Sequence, residues 1–311
     1  VDDPALAVQE ITNENSLFYI HREALMLPSY REELRLLWNQ WLLEHYGSRE
    51  ALDKAWTNDA GEKALRPGED PARGNIELPA ASLYADLRSV SYSDDDSPAR
   101  LNAMTRFLYE QQIAYYREMM EHLRSIGLKC PITGTNQDFS DAGNKANAVC
   151  DFMARNNYWR HPNMYAKPYI RFGNHSIVRS DVPRDASPIA NVASSAVAGK
   201  PLISPEFNAP WPNEYRAECL PMMAAYGRLQ DWDGLLYFAY RPGDEPLSSF
   251  GNQSDPVRWG QVPLAAMLFL RGDISPALNQ IDIGVSETDA MATRPQRASD
   301  RYSPYRLLPF V

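Results

Sequence analysis

Two glutamates in this chain sit where short apolar runs end. Ala7 to Thr12 leads into Asn13-Glu14, and Lys200 to Ser204 leads into Pro205-Glu206. In parallel βα architecture the C-terminal end of a strand is where reactive groups project. Two carboxyls held about 5–5.5 Å apart at such ends can carry retaining glycoside hydrolysis. One donates a proton and later takes one back; the other attacks the anomeric carbon. The plain alternative for either residue alone is a solvated surface group or a helix N-cap. Their joint occurrence, each with an asparagine nearby (Asn13 and Asn208), favours the chemical reading.

The elements that must position them alternate along the chain as apolar runs and helical segments, the pattern of parallel βα units. Pro28 to Tyr46 carries Leu34, Leu37, Trp38, Trp41 and Leu42 at helical spacing, and Trp38 and Trp41 read as core. A second helix is expected over Ser48 to Trp56 with Ser48 as N-cap. Residues 57–100 are polar and rich in Pro, Gly and Asp, and read as an excursion from the core with a short helix around Leu83 to Leu87. Leu101 to Ile126 is a strongly amphipathic helix stopped by Gly127. Strands are expected at Cys130 to Thr135, Val149 to Ala154, Lys200 to Ser204 and Leu235 to Tyr240, with a further one at Gln280 to Val285. Helices are expected at Asn213 to Gln230 and Val257 to Leu270, and a long loop over 160–189. Five strands counted from the first run fit either a doubly wound sheet or the latter part of an eight-stranded barrel. No GxGxxG or GxxxxGK[ST] phosphate cradle occurs, which lowers the first option.

Four segments in order resemble clan A glycoside hydrolases, the retaining (β/α)8 enzymes that include the cellulase-type family five. ITNEN is similar to the strand-four Asn-Glu signature, CDFMARNNYWRHP to strand six, ISPEFNAPWPNEYRAE to strand seven and LQDWDGLLYFAYRP to strand eight. The resemblance covers about residues 5–275. It implies Glu14 as acid/base, Asn13 as a contact to the sugar 2-hydroxyl and Glu206 as nucleophile. Tyr158 would hydrogen-bond the Glu206 carboxylate. Asn156 stands where the clan usually carries His, and His161 would serve the sugar instead. Implied too is a fold of TIM-barrel type holding strands four to eight, with strands one to three missing. Residues 1–272 would form this partial barrel, with 57–100 as an insertion, and 273–311 a C-terminal extension beginning a β accessory region. The chain is then expected to be a C-terminal piece of a longer or nicked protein, or a half-barrel that covers its open edges by self-association. Folding-back of 273–311 into the gap ranks last. The substrate implied is a β-linked glucan- or mannan-type oligosaccharide, with no cofactor or metal, and family habit places such enzymes outside the cell or in the periplasm.

Aromatic side chains fit a sugar ligand, whose C–H faces stack on rings. Trp211, in a Pro-flanked loop after Glu206, is the best stacking candidate, with Tyr240 a second; Trp232 and Trp259 read as packing residues. The remaining features are bland. Net charge is −9, with 31 basic and 40 acidic residues, a poor match to nucleic acid phosphates or an anionic membrane. No apolar run approaches the ~20 residues that span a bilayer. Cys130, Cys150 and Cys219 are widely spaced and read as buried thiols. Asp94-Asp95-Asp96 reads as a solvated turn, and His21, His45 and His175 lack partners at metal spacing. The absence of GxSxG disfavours a serine hydrolase. Two other readings remain open: a non-catalytic sugar-binding or assembly module derived from such a barrel, and a doubly wound enzyme of unrelated chemistry.

Overall fold

The computed structural model describes residues 3–18, 27–79, 97–138, 140–159, 187–211, 213, 215–240 and 250–291. The fold is mixed α/β and its strand pairs are all parallel. Strand β1 (Gln9–Thr12) pairs with β2 (Ile132–Thr135), in the register Gln9↔Ile132 and Thr12↔Thr135. Strand β5 (Leu202–Asn208) takes β3 (Met153–Ala154) and β4 (Asn157–Tyr158) along one side and β6 (Gly234–Tyr237) along the other. Backbone bonds join the two ladders: Asp151 N–H to Ile132 O at 2.8 Å and Asn156 N–H to Asn136 O at 2.8 Å. The strands therefore follow one another across the sheet in chain order. Among the described residues no ladder joins β6 back to β1, so the sheet does not close.

Where β2 and β3 diverge, a side chain replaces the ladder. Asn147 Oδ1 accepts from the Gly134 and Thr135 N–H groups at 2.9 and 3.2 Å, and its Nδ2 donates to Thr135 O at 3.1 Å. Gly134 must be glycine for this. A Cβ there would run into the Tyr116 ring and lie 2.6 Å from Asn147 Oδ1.

Helix boundaries follow local chemistry. Helix α1 (Pro28–Tyr46) opens on proline, whose missing N–H is no loss in the first turn, and stops at Gly47 with φ 80°. Helix α2 (Arg49–Ala55) is capped by Ser48, which accepts from Ala51 N–H at 3.2 Å. Helix α3 (Pro98–Ser125) is capped by Ser97, and its end is closed by Leu128 N–H bonding Leu123 O at 3.0 Å around Gly127. Two short helices escaped the sequence patterns: α4 (Asp141–Asn147) and α5 (Ser187–Ala193). Helix α6 (Arg216–Leu229) begins later than its pattern predicts. The expected helix over Val257 to Leu270 is broken into α7 (Pro256–Trp259), α8 (Val262–Ala266) and a π turn at Met267–Arg271. A last turn, α9 (Glu287–Ala290), follows. Residues 280–285 form no strand. The short helix expected around Leu83 to Leu87 lies outside the described residues.

Two apolar clusters hold the structure. In the first, Trp38 stacks on Trp41 at 5.5 Å and meets Phe107 at 5.3 Å, with Leu42, Leu52, Trp56 and Met104 around them. Ala64, Leu65 and Ile76 are buried in the same cluster, so residues 57–79 are part of this core instead of standing off from it. The second lies under β5: Phe207, Leu202, Cys219, Met223, Val192 and Trp232. The two outer strands are poorly covered. Leu6 and Val8 beside β1 are exposed, and Leu236 on β6 is 53% exposed.

Candidate active site

The site is assembled at the C-terminal ends of β1, β2, β4 and β5. On β1, Glu10 and Thr12 share one face of the strand. Glu14 follows the strand with φ 46°, a left-handed conformation uncommon for a residue with a side chain. Asn136, one residue beyond β2, holds it there: its Oδ1 accepts from Glu14 N–H at 3.0 Å, and its Nδ2 donates to Asn13 Oδ1 at 2.8 Å. Asn156 Nδ2 donates to Glu14 Oε1 at 3.0 Å. Thus Asn156, in the position where the resemblance leads one to expect His, is a neutral donor to the Glu14 carboxylate.

Glu206 lies inside β5, not beyond its end. Pro205 has no N–H to give the ladder. The β5/β6 register slips between Ser204 and Phe207, three residues of β5 matching two of β6. Such a bulge re-aims the side chain it carries. Tyr158 on β4 donates its hydroxyl to Glu206 Oε2 at 2.5 Å. Burial, the bond to Glu206 and the charges of Glu206 and Glu14 all raise the Tyr158 pKa, so the phenol keeps its proton and stays a donor. Its ring is fixed edge-on against Phe250 at 5.2 Å and Phe238 at 6.1 Å.

Two residues on in β5, Asn208 is buried and anchors the floor of the site. Its Nδ2 donates to Phe250 O at 3.1 Å and to Asn252 Oδ1 at 3.0 Å. Below it, fully buried Arg258 is held by Asp255 at 3.0 Å and by Gly251 O at 2.7 Å. The 251–254 loop therefore makes structural bonds through Gly251 and Asn252.

A third carboxyl belongs to the same field. Glu10 on β1 is pushed up to about 7, first by burial, then by the charges of Glu206 and Glu14, against a lowering contribution from Asn136 as hydrogen-bond donor. Its Oε1 is buried with no hydrogen-bond partner. Glu14 and Glu206 both act electrostatically on Glu10 and on Tyr158, so the two glutamates share one site although 192 residues separate them. Neither a protein-family model nor a curated protein sequence matches this chain.

Of the residues singled out from sequence, Asn13 and Glu14 are thus tied together through Asn136, and Tyr158 is bonded to Glu206. Trp211 is partly exposed on the loop after β5. Tyr240 is 63% exposed and meets Trp259 with ring centroids 5.5 Å apart and planes tilted by 43°, and Trp259 is itself 40% exposed instead of being a packed core residue. Trp232 is buried. His161, His21, His175 and the Asp94-Asp95-Asp96 run lie outside the described residues. Among the described residues no group of three or more His, Cys, Asp and Glu is arranged to hold a metal ion. Cys150 and Cys219 are buried thiols pushed up to about 12 by burial.

Sequence reasoning missed Glu10 and Asn136. Both left a signal. Glu10 is a carboxyl inside the first short strand, four residues before Glu14. Thr135-Asn136 repeats the Thr12-Asn13 pattern, and in the parallel register Thr12 lies opposite Thr135.

Proposed function

We propose that this chain is a retaining β-glycosidase, with Glu14 as acid/base and Glu206 as nucleophile. The observation that carries the reading is that Asn156 and Tyr158, two residues apart, donate to Glu14 just after β1 and to Glu206 in β5. The Tyr158 hydroxyl fixes one oxygen of Glu206, and an oriented carboxylate is what attack on an anomeric carbon requires. Glu14 protonates the departing glycosidic oxygen as Glu206 forms the glycosyl-enzyme. The Glu14 carboxylate then takes a proton from water, which attacks the anomeric carbon and releases Glu206. Asn13 is placed beside Glu14 to meet a sugar hydroxyl.

Parallel strands following one another in chain order suit strands four to eight of a (β/α)8 barrel, and we assign β1 to β6 to that stretch, with β3 and β4 together as one barrel strand. On this reading the exposed β1 and β6 edges meet either further βα units or a second copy of the chain. The substrate is a β-linked glucan- or mannan-type oligosaccharide, with Trp211 and Tyr240 as stacking rings.

The test uses the full chain and its Glu206→Ala variant on a panel of aryl β-glycosides and β-glucans. Turnover is expected from the first only. Azide should restore turnover to the variant by attacking the anomeric carbon in place of the missing carboxylate, giving a glycosyl azide of inverted configuration. A folded variant that azide leaves inactive, beside an active parent, removes Glu206 from the nucleophile role. The competing reading is a sugar-binding module without turnover, and the β1 and β6 edges, which take no further strand among the described residues, favour it. It predicts oligosaccharide binding that survives Glu14→Gln, with no hydrolysis by the parent.

A further inference from the structure

Glu14 is held in an uncommon backbone conformation by a single side chain from the neighbouring strand. Asn136 is 1% exposed, and its side chain makes two hydrogen bonds in the site. Oδ1 takes the Glu14 N–H at 3.0 Å, and Nδ2 gives one hydrogen to Asn13 Oδ1 at 2.8 Å; the same amide also lowers the Glu10 pKa. Its backbone carbonyl accepts from Asn156 N–H at 2.8 Å, and Asn156 in turn donates to Glu14 Oε1 at 3.0 Å. An amide offers an acceptor oxygen and donor hydrogens side by side, and both kinds are used here. Neither a carboxylate nor a hydroxyl reproduces that set at one position.

We propose that Asn136 is a positioning residue for the Glu14 carboxyl, fixing from one side the backbone turn that presents it and from the other the Asn156 amide that orients it. This rests on the acid/base reading of Glu14 only for its kinetic consequences; the geometric claim stands on the hydrogen bonds alone. The acidity of the surroundings makes the chemistry selective. The groups facing the Asn136 side chain are Glu10 and Glu14, with Glu206 and Tyr158 acting on the same field. A second acceptor in place of the Nδ2 donor would face oxygen on Asn13 and Glu10 alike.

Two variants test the proposal. Asn136→Ala removes the acceptor for Glu14 N–H. Backbone amide hydrogen exchange, read by NMR in the full chain, should quicken at Glu14 by about tenfold or more while amides of the Trp38 cluster are unchanged. Unchanged exchange at Glu14 overturns the proposal, whether or not the chain proves to be a glycosidase. In kinetics, Asn136→Ala should lower kcat/KM by about 10²-fold for a sugar leaving group, the share that general acid catalysis supplies. For a dinitrophenyl leaving group, which departs without a proton, the loss should stay under about threefold. Equal losses on both substrates mean general damage and overturn the role. Asn136→Asp keeps the chain filled if the alanine variant unfolds. Protonated, the aspartic acid offers one acceptor and one donor and resembles the amide; ionised, it adds a charge beside Glu10 and Glu14. Its activity relative to the parent should therefore rise as pH falls, and a pH-independent ratio argues against the assigned role. If the parent hydrolyses no glycoside, the exchange measurement decides alone and the failure belongs to the glycosidase reading.

Discussion

Glu69, buried, and Glu10, half-buried, are the same residue type, yet they are driven in opposite directions. Glu69 lies in the helical cluster, where Arg100 forks onto it with bonds of 2.8 and 2.9 Å. Burial raises the Glu69 pKa, but the Arg100 bonds and the Arg66 N–H outweigh it and leave the carboxyl below its ordinary range. Arg100 is also tied to Glu77 O at 2.7 Å and lies 5.5 Å over the Trp56 ring. Glu10, at the strand ends, has burial and two further carboxylates around it, and is pushed up to about 7. The lesson concerns company, not depth. A buried carboxyl beside a cation is a structural group, whereas one beside other carboxyls stores a proton near neutrality, the condition under which acid–base roles separate.

The contrast breaks most completely at Glu206. Glu206→Gln keeps the shape, removes the attacking carboxylate and should lower kcat by about 10⁴- to 10⁶-fold. It also removes one of the charges that hold Glu10 up, so a carbon-13 titration of the Glu10 carboxyl should move toward the ordinary range. A Glu10 midpoint that stays near 7 would separate it from the site.

Arg100→Met converts the structural carboxyl into something closer to Glu10. It leaves Glu69 buried without its cation and should cost about 3–5 kcal/mol of stability, measured by urea unfolding. The pH response should change as well. In the parent, the lowered Glu69 pKa contributes stability that is present above about pH 4.5 and lost as pH falls through the folded-state value. In the variant that contribution should vanish.

Tyr158→Phe removes the donor from Glu206 while leaving the ring packed. A hydrogen bond to a charged group is worth about 1.5–3 kcal/mol, so kcat should fall by roughly 10- to 150-fold with the fold intact. An unaltered rate would make the tyrosine a packing residue only.

The smallest effect is expected for Glu10→Gln. Because the folded-state pKa of Glu10 is raised, ionising it opposes folding: the penalty begins as pH passes about 4.5 and is complete above about 7. Allowing for its partial exposure, the variant should be more stable than the parent by roughly 1–2 kcal/mol at pH 8, and equal to it near pH 4. A difference that does not depend on pH would leave Glu10 an ordinary strand residue.

How much of this could be read beforehand depends on range. Helix α1 runs over the expected residues and α2 starts at the expected Ser48 cap, because Pro28, Gly47 and Ser48 act within a few positions of themselves. The strands were legible in order but not in extent. β5 runs on to Asn208 because β4 pairs with its far end, and the two-residue β4 has too little sequence to announce itself. The break between α7 and α8 follows Gly260, whose added Cβ would lie 2.7 Å from Pro256 O.

The carboxyls, their neighbouring asparagines and Tyr158 were visible as residue types at strand ends, since the chemistry each can perform is a property of its own atoms. What each does was decided by partners more than a hundred residues away. Asn136 meets Glu14 across 122 positions, and Glu10 is pushed up by burial and then by the charge of Glu206 on another strand. Caps, turns and apolar spacing are written locally, because backbone preference and helix periodicity act over a few residues. Hydrogen-bond satisfaction and charge coupling follow distance in space, and only the parallel register of β1 on β2 and the stacking of strands through to β5 bring those groups together.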